Sequence, residues 1–300
     1  MKDWLRATAA AAVAALVTLP LLGTQAAADA STGALSEQCA AGVRVGPAGA
    51  DFYNPPSPLP AGAHGEVIWA RRVAAPAHAE ACRILYLSTL HDGRRVAVSG
   101  LVVWPTGKAP RGGRNVVAWA HGTVGGPRQC APSAAPDPAQ NLVDYYTYKS
   151  PYSIDVGVPA LTKFLAAGDV VVATDYQGLG TPGVHQYVVA GTETHNVLDS
   201  VEAARRLQSA QAGNRLAVLG WSQGGGAALF IGQTIRSYTP GLDLVGTAAL
   251  APRPTWARSS RAGSSPARAT PPRRRTAPRC GSTSTGASWP PTPNCGPPTC

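Results

Sequence analysis

The rhythm of apolar and polar positions changes partway along this chain. Between residues 66 and 105 lie EVIWARRVA (66–74), ACRILYLSTL (81–90) and RRVAVSGLVVWP (94–105), all rich in β-branched and aromatic residues. Such stretches predict strands, and the HDG between the last two predicts a hairpin and an antiparallel start to a sheet. Farther on, RNVVAWAHG (114–122), DVVVATDYQGLG (169–180) and RLAVLGWSQGG (215–225) are apolar without alternation and end in glycine. Uninterrupted apolar runs of that length are expected of parallel strands covered on both faces. LDLVGTAALAP (242–252) reads as one more strand.

The intervals carry helical spacing. VPALTKFLAAG (158–168) puts Leu161, Phe164 and Leu165 on one face and ends on Gly168, a C-cap residue. THNVLDSVEAARRLQSAQAG (194–213) repeats Val197, Val201, Ala204 and Leu207. Thr194 is its expected N-cap and Gly213 its expected end. GGAALFIGQTIRSY (225–238) predicts a third helix. Strands alternating with helices in this order give an α/β fold: a mainly parallel sheet with an antiparallel N-terminal start. Residues 124–156 break the alternation with Pro127, Pro132, Pro136 and Pro138 and the cluster DYYTYKSPY (144–152). They read either as a cap over a site or as a surface loop pinned by its tyrosines.

Composition changes the picture at both ends. Residues 1–30 carry Lys2 and Arg6, then an apolar, alanine-rich stretch, then small residues in the pattern Ala28-x-Ala30 or Ala26-x-Ala28. That is the layout of a secretory signal peptide, too short to span a bilayer. The formal net charge of +10 looks like a nucleic-acid signal until it is located. Residues 251–300 hold eight arginines and no acid, whereas residues 1–250 hold 18 Lys+Arg against 16 Asp+Glu. The same segment has 11 of the 28 prolines and no Val, Ile, Leu, Met, Phe or Tyr. Residues 253–300 are therefore expected to be a disordered Arg/Pro-rich tail, with neither core nor spaced aromatics for nucleic-acid binding. The folded domain is expected to occupy 31–252.

The chemistry centres on Gly220-Trp221-Ser222-Gln223-Gly224. A serine between two glycines, after a strand and before a helix, is the arrangement of a nucleophile elbow. The turn is so sharp that side chains at 220 and 224 would collide, and the serine takes a strained backbone conformation. The N–H of Gln223 then points to where a tetrahedral oxyanion forms. WAHGTVGG (119–126) ends another central strand, and its Gly122 or Thr123 amide is the candidate second donor. His121 precedes the serine and is expected to order this loop by hydrogen bonding.

AHGTVG, CAPS, ATDYQGLG, HNVLDSVEAARRL and GWSQGGGAALF, in that order, resemble the secretory lipase family of α/β-hydrolases, from roughly Asp51 to Pro252. The resemblance implies a secreted serine esterase or lipase acting on acyl esters without metal or cofactor, with at most transient contact with a lipid interface. It implies Ser222 as nucleophile, Gln223 and the Gly122–Thr123 peptide as oxyanion hole, and Asp175 and Tyr176 as part of the site's wall. The family order is Ser, then Asp, then His, and here the pattern breaks. After Ser222 the only acid is Asp243, at the expected N-terminal end of a strand, and there is no histidine. All six histidines (64, 78, 91, 121, 185, 195) precede the serine. His185 or His195 would serve only in a rearranged triad, and His195 is better read as a satisfied surface or capping residue. The triad acid and base are thus not found. The tail reads as an out-of-frame continuation that leaves the domain incomplete at its C-terminus and the chain inactive as written. A non-catalytic hydrolase-like binding protein and a serine peptidase on the same fold are the alternatives. Cys39 and Cys82 could bridge the entrance of the first strands, which would leave Cys130 alone in the folded part, but spacing alone fixes no pairing.

Overall fold

The computed structural model describes residues 37–144 and 153–252. The expected signal peptide and the Arg/Pro-rich tail lie outside them, as does most of the tyrosine cluster. Seven strands form one sheet: β1 (Val67–Val73), β2 (Ala79–Thr89), β3 (Arg95–Pro105), β4 (Arg114–Ala120), β5 (Val170–Thr174), β6 (Ala212–Trp221) and β7 (Asp243–Leu250). Their spatial order is β1-β2-β3-β5-β4-β6-β7. Pairing is antiparallel from β1 through to β5 and parallel across β5, β4, β6 and β7. This is the mixed, mainly parallel sheet that the two apolar rhythms predict. All five residues of β5 are buried, as a strand covered on both faces requires.

Helices α1 (Pro138–Val143), α2 (Ser153–Val156) and α3 (Leu161–Ala167) link β4 to β5. Helix α4 (Ala190–Arg206) links β5 to β6, and α5 (Gln223–Tyr238) links β6 to β7. Right-handed crossovers running in opposite directions put α3 on one face of the sheet and α4 and α5 on the other, and α4 and α5 pack on each other. Their buried residues recur at helical spacing: Val197, Val201 and Ala204 in α4, Ala227, Ile231 and Ile235 in α5.

Helix α3 stops where glycine allows it. Gly168 takes φ 94° and donates its N–H to Leu165, the left-handed C-cap expected from the sequence. Helix α4 departs from expectation at both ends. It begins at Ala190, so Thr194 is not its N-cap but a buried residue one turn inside, 3.4 Å from the carbonyl of Ala227. It ends at Arg206, and Gly213 belongs to β6, paired against the turn that opens β4.

The segment after β4 is built of short 3₁₀ turns (Arg128–Cys130 and Pro132–Ala134) followed by α1 and α2. Val124, Cys130, Ala131, Ala139, Leu142 and Val156 join the main core, so this segment packs on the domain. Cys39 and Cys82 form a disulfide. Cys130 is disulfide-bonded too, contrary to the expectation that it stands alone.

Candidate active site

The direction of chain progression reverses between β4 and β6. The connection leaving β4 runs toward β5, whereas the one leaving β6 runs toward β7. Neighbouring strands whose connections diverge leave a crevice at their carboxyl ends, the usual ligand position in such sheets. Ala120 at the end of β4 is in register with Gly220 near the end of β6. The two segments singled out in the sequence therefore meet at this crevice.

Ser222 has φ 50° and ψ −106°, a conformation that L-residues rarely adopt, at the point where β6 gives way to α5. Its N–H is fixed by the carbonyl of Leu250 at 2.9 Å. The bracketing glycines are needed for space. A Cβ on Gly220 would overlap the carbonyl of Gly224, and one on Gly224 would overlap the carbonyl of Ala120. The Gly224 N–H donates to His121 at 3.1 Å, stitching the first turn of α5 to the end of β4. The Gln223 N–H, in that same first turn, donates to no backbone carbonyl among the described residues.

Across the crevice, the two amides considered as partner donors differ. The Gly122 N–H is taken by the carbonyl of Asp155 at 2.9 Å, whereas the Thr123 N–H has no backbone acceptor among the described residues. Gly122 is hemmed in by the Asp155 carboxylate and the Trp221 ring, which leave no room for a side chain. Thr123 is exposed, and its hydroxyl lies 3.0 Å from that of Tyr187.

His121 is buried and orders the loop, as expected. Its Nδ1 donates to Gly122 at 2.6 Å, and Nε2 lies 3.3 Å from the carbonyl of Asp175. Burial pulls its pKa down to about 4, so it is neutral at ordinary pH. Tyr176 adopts φ 67°, is fully buried, and donates its hydroxyl to the carbonyl of His121 at 3.1 Å. The same carbonyl thus receives Tyr176 and Gly224. Asp175 is equally buried but turns toward β3, accepting from Ser99 at 2.6 Å and from both the amide and the hydroxyl of Ser133. Burial raises its pKa, opposed by these donors. Both side chains are buried and committed to partners within the fold.

Behind the elbow, Gln223 and His185 meet Glu193, a side chain absent from the sequence reading. The Gln223 side-chain amide donates to Glu193 Oε1 at 2.7 Å and to His185 Nε2 at 3.0 Å. His185 in turn donates Nδ1–H to the carbonyl of Gln177 at 2.9 Å. Both ring nitrogens are therefore engaged, and burial lowers its pKa. Glu193 is buried and also accepts from the Val188 N–H. Burial raises its pKa to about 7, against the pull of those two donors. Asp155 sits beside Gly122, its pKa raised by burial and partly restored by a hydrogen bond from the Trp221 indole.

None of the six histidines hydrogen-bonds to Ser222. His195 contacts Thr89 at 3.1 Å and stacks on Tyr238, 3.9 Å between ring centres. Asp243 pairs with Arg215 while Leu250 pairs with Trp221, which puts Asp243 at the opposite end of β7 from the elbow. No group of three or more His, Cys, Asp or Glu among the described residues is arranged to hold a metal ion.

Comparison with known proteins agrees with this architecture. The solved lipase A from Candida antarctica superposes with TM-score 0.53 at 23% identity, over 65% of this chain and 44% of that one. The esterase LipA from Xanthomonas oryzae aligns with TM-score 0.47 at 20% identity, over 60% of this chain and 48% of that one. The chain thus spans less than half the length of the solved lipase whose fold it shares. No curated protein matches it in sequence. Residues 149–258, which include β5, α4, the elbow and β7, match the secretory lipase family. That match covers 110 of the 300 residues; with the mixed sheet and the crevice between β4 and β6, it makes this part of the chain similar to the secretory lipases, on an α/β-hydrolase fold.

Proposed function

We propose that Ser222 is the nucleophile of a secreted hydrolase of acyl esters, working with the amides of Gln223 and Thr123. The reading rests above all on the strained elbow: a serine at positive φ, at the carboxyl end of a central strand, where only glycine fits on either side. Attack of the hydroxyl oxygen on the ester carbonyl would build an oxyanion, which two converging N–H groups stabilise without reorganisation. Gln223 and Thr123 have N–H groups to offer, while Gly122 has given its own to Asp155. Collapse of that intermediate expels the alcohol, and water then releases the acid.

Ser222 also needs a base to take its proton. Each candidate histidine is engaged elsewhere, and none follows position 222 in the sequence. Loss of a triad base lowers turnover by several orders of magnitude and leaves the contribution of the oxyanion donors. The 300-residue chain is accordingly expected to be a slow enzyme. Export rests on the signal-like residues 1–30, and no helix among the described residues is long and apolar enough to cross a membrane.

A fluorophosphonate probe with added imidazole as a surrogate base tests the proposal. Slow labelling, mapped to Ser222 by mass spectrometry, accelerated by imidazole and absent from Ser222→Ala, is expected. Labelling elsewhere, or none at any imidazole concentration, refutes the nucleophile and favours a non-catalytic binding role.

A further inference from the structure

Two arginines stand at the same end of the sheet without a carboxylate partner. Arg83 on β2 donates Nε–H to the carbonyl of Ser133 at 2.8 Å, and its guanidinium lies 5.5 Å from the ring centres of Phe52 and Tyr53. Arg128 donates Nε–H to Gly180 at 2.7 Å and Nη2–H to Tyr53 and Asn54. Neither makes an ion pair among the described residues, and the terminal nitrogens of Arg83 and Nη1 of Arg128 have no acceptor there. Asp175, which feels the charge of Arg83, is buried and committed to Ser99 and Ser133.

Both arginines line one cleft of about 630 Å³, with Tyr53, Asn54, Gln129 and Pro136 among its other walls and no acidic residue. The backbone and aromatic contacts hold the two guanidinium groups in place, while spare N–H donors remain for a ligand. A planar cation with free donors suits a carboxylate, which accepts two N–H bonds side by side. The wall formed by Gln129, Ala134, Ala135 and Pro136 is shared with a second cleft of about 290 Å³. That cleft is mainly apolar, lined by Val124, Cys130, Pro132 and Val156. Val124 follows Thr123, and Val156 follows the residue whose carbonyl holds Gly122. The apolar cleft therefore lies between the oxyanion loop and the arginines.

We propose that the Arg83–Arg128 cleft binds the carboxylate of an amphiphilic acid whose apolar chain lies in the adjoining Val124–Val156 cleft. Combined with the ester-hydrolase reading, on which only this last step rests, the preferred substrates are esters whose acyl part ends in a second, free carboxylate. The two cavities would select such esters by charge at one end and by chain length between.

Isothermal titration of the full chain with hexanoate, hexanol and acetate at low ionic strength tests the site without calling on catalysis. Hexanoate is expected to bind about tenfold or more tighter than hexanol, which lacks the charge, and than acetate, which lacks the chain. Its affinity should fall with added salt. Arg83→Met should weaken hexanoate about tenfold to a hundredfold, and Arg83→Lys, which keeps the charge but not the fork, should recover part of the loss. Equal binding of hexanoate and hexanol by the wild-type chain, which needs no variant to fold, overturns the proposal. So does absence of binding, or full affinity in a folded Arg83→Met chain. Labelling of Ser222 is read separately, so either conclusion can fail while the other stands.

Discussion

The side-chain amide of Gln223 donates to the carboxyl of Glu193 at 2.7 Å, so the residue next to the elbow serine leans on a buried acid. Burial moves that acid up to about 7 from the ordinary 4.5. Because the folded state holds the proton more tightly than the unfolded chain, the protein loses stability through this group as pH rises between those values. The size is on the order of 3 kcal/mol. Glu193→Gln keeps an oxygen for Gln223 and for the Val188 N–H, and removes the ionisation. Urea unfolding from pH 5 to 8 is expected to show a shallower decline in the variant, with the gain over wild type growing from pH 5 to about 7 and level above that. Parallel curves would disprove the assignment.

The elbow glycines should tolerate nothing larger. Gly220→Ala and Gly224→Ala each force a methyl group into a carbonyl of the adjoining backbone, and a loss of about 2–4 kcal/mol is expected for each. Gly232, on the same helix as Gly224, faces open space. Gly232→Ala should therefore stabilise the chain by about 0.5–1 kcal/mol through the helix preference alone. Thermal unfolding of the three variants side by side separates a steric requirement from general sensitivity of α5.

Tyr176→Phe removes one of the two donors on the His121 carbonyl and leaves Gly224 in place. A loss of about 1–2 kcal/mol is expected, with the secondary structure retained by circular dichroism. An unchanged melting temperature would show that the hydroxyl does not brace the β4 loop.

The Cys39–Cys82 bridge joins residues separated by 43 positions. Closing a loop of that size in the unfolded chain is worth up to about 4 kcal/mol in the chain-entropy description. Replacing both cysteines by alanine should lower stability toward urea by that much or less, without disturbing Ser222 labelling, since the bridge ties the N-terminal segment to β2.

Much of this architecture is legible in the sequence because the sheet is written in long apolar runs. The unbroken valines of 170–172 and the glycines around Ser222 each have one economical explanation. The start of α4 is hidden, because Val189 offers no capping side chain and the first turn, Ala190 to Glu193, is small and polar. Thr194 imitates a cap yet is buried against α5. The Glu193–Gln223–His185 cluster leaves no trace either. Its members come from two helices and a loop, and burial of an acid on a polar stretch has no periodic signature. Asp155 escapes notice for the same reason, and only the folded backbone shows that its carbonyl has claimed the Gly122 amide.

Strand β7 closes the order of the sheet, with no neighbour on its outer side among the described residues. Its side chains at 245–248 are exposed, and Asp243 at its far end is its only charged residue. Its outer row of N–H and C=O groups is thus a ready template for any extended segment that arrives beside it, including β7 of another molecule. Self-association through this flank is the outcome expected at high concentration where nothing else covers it. A lysine in place of Thr247 would be the smallest change to discourage such accretion.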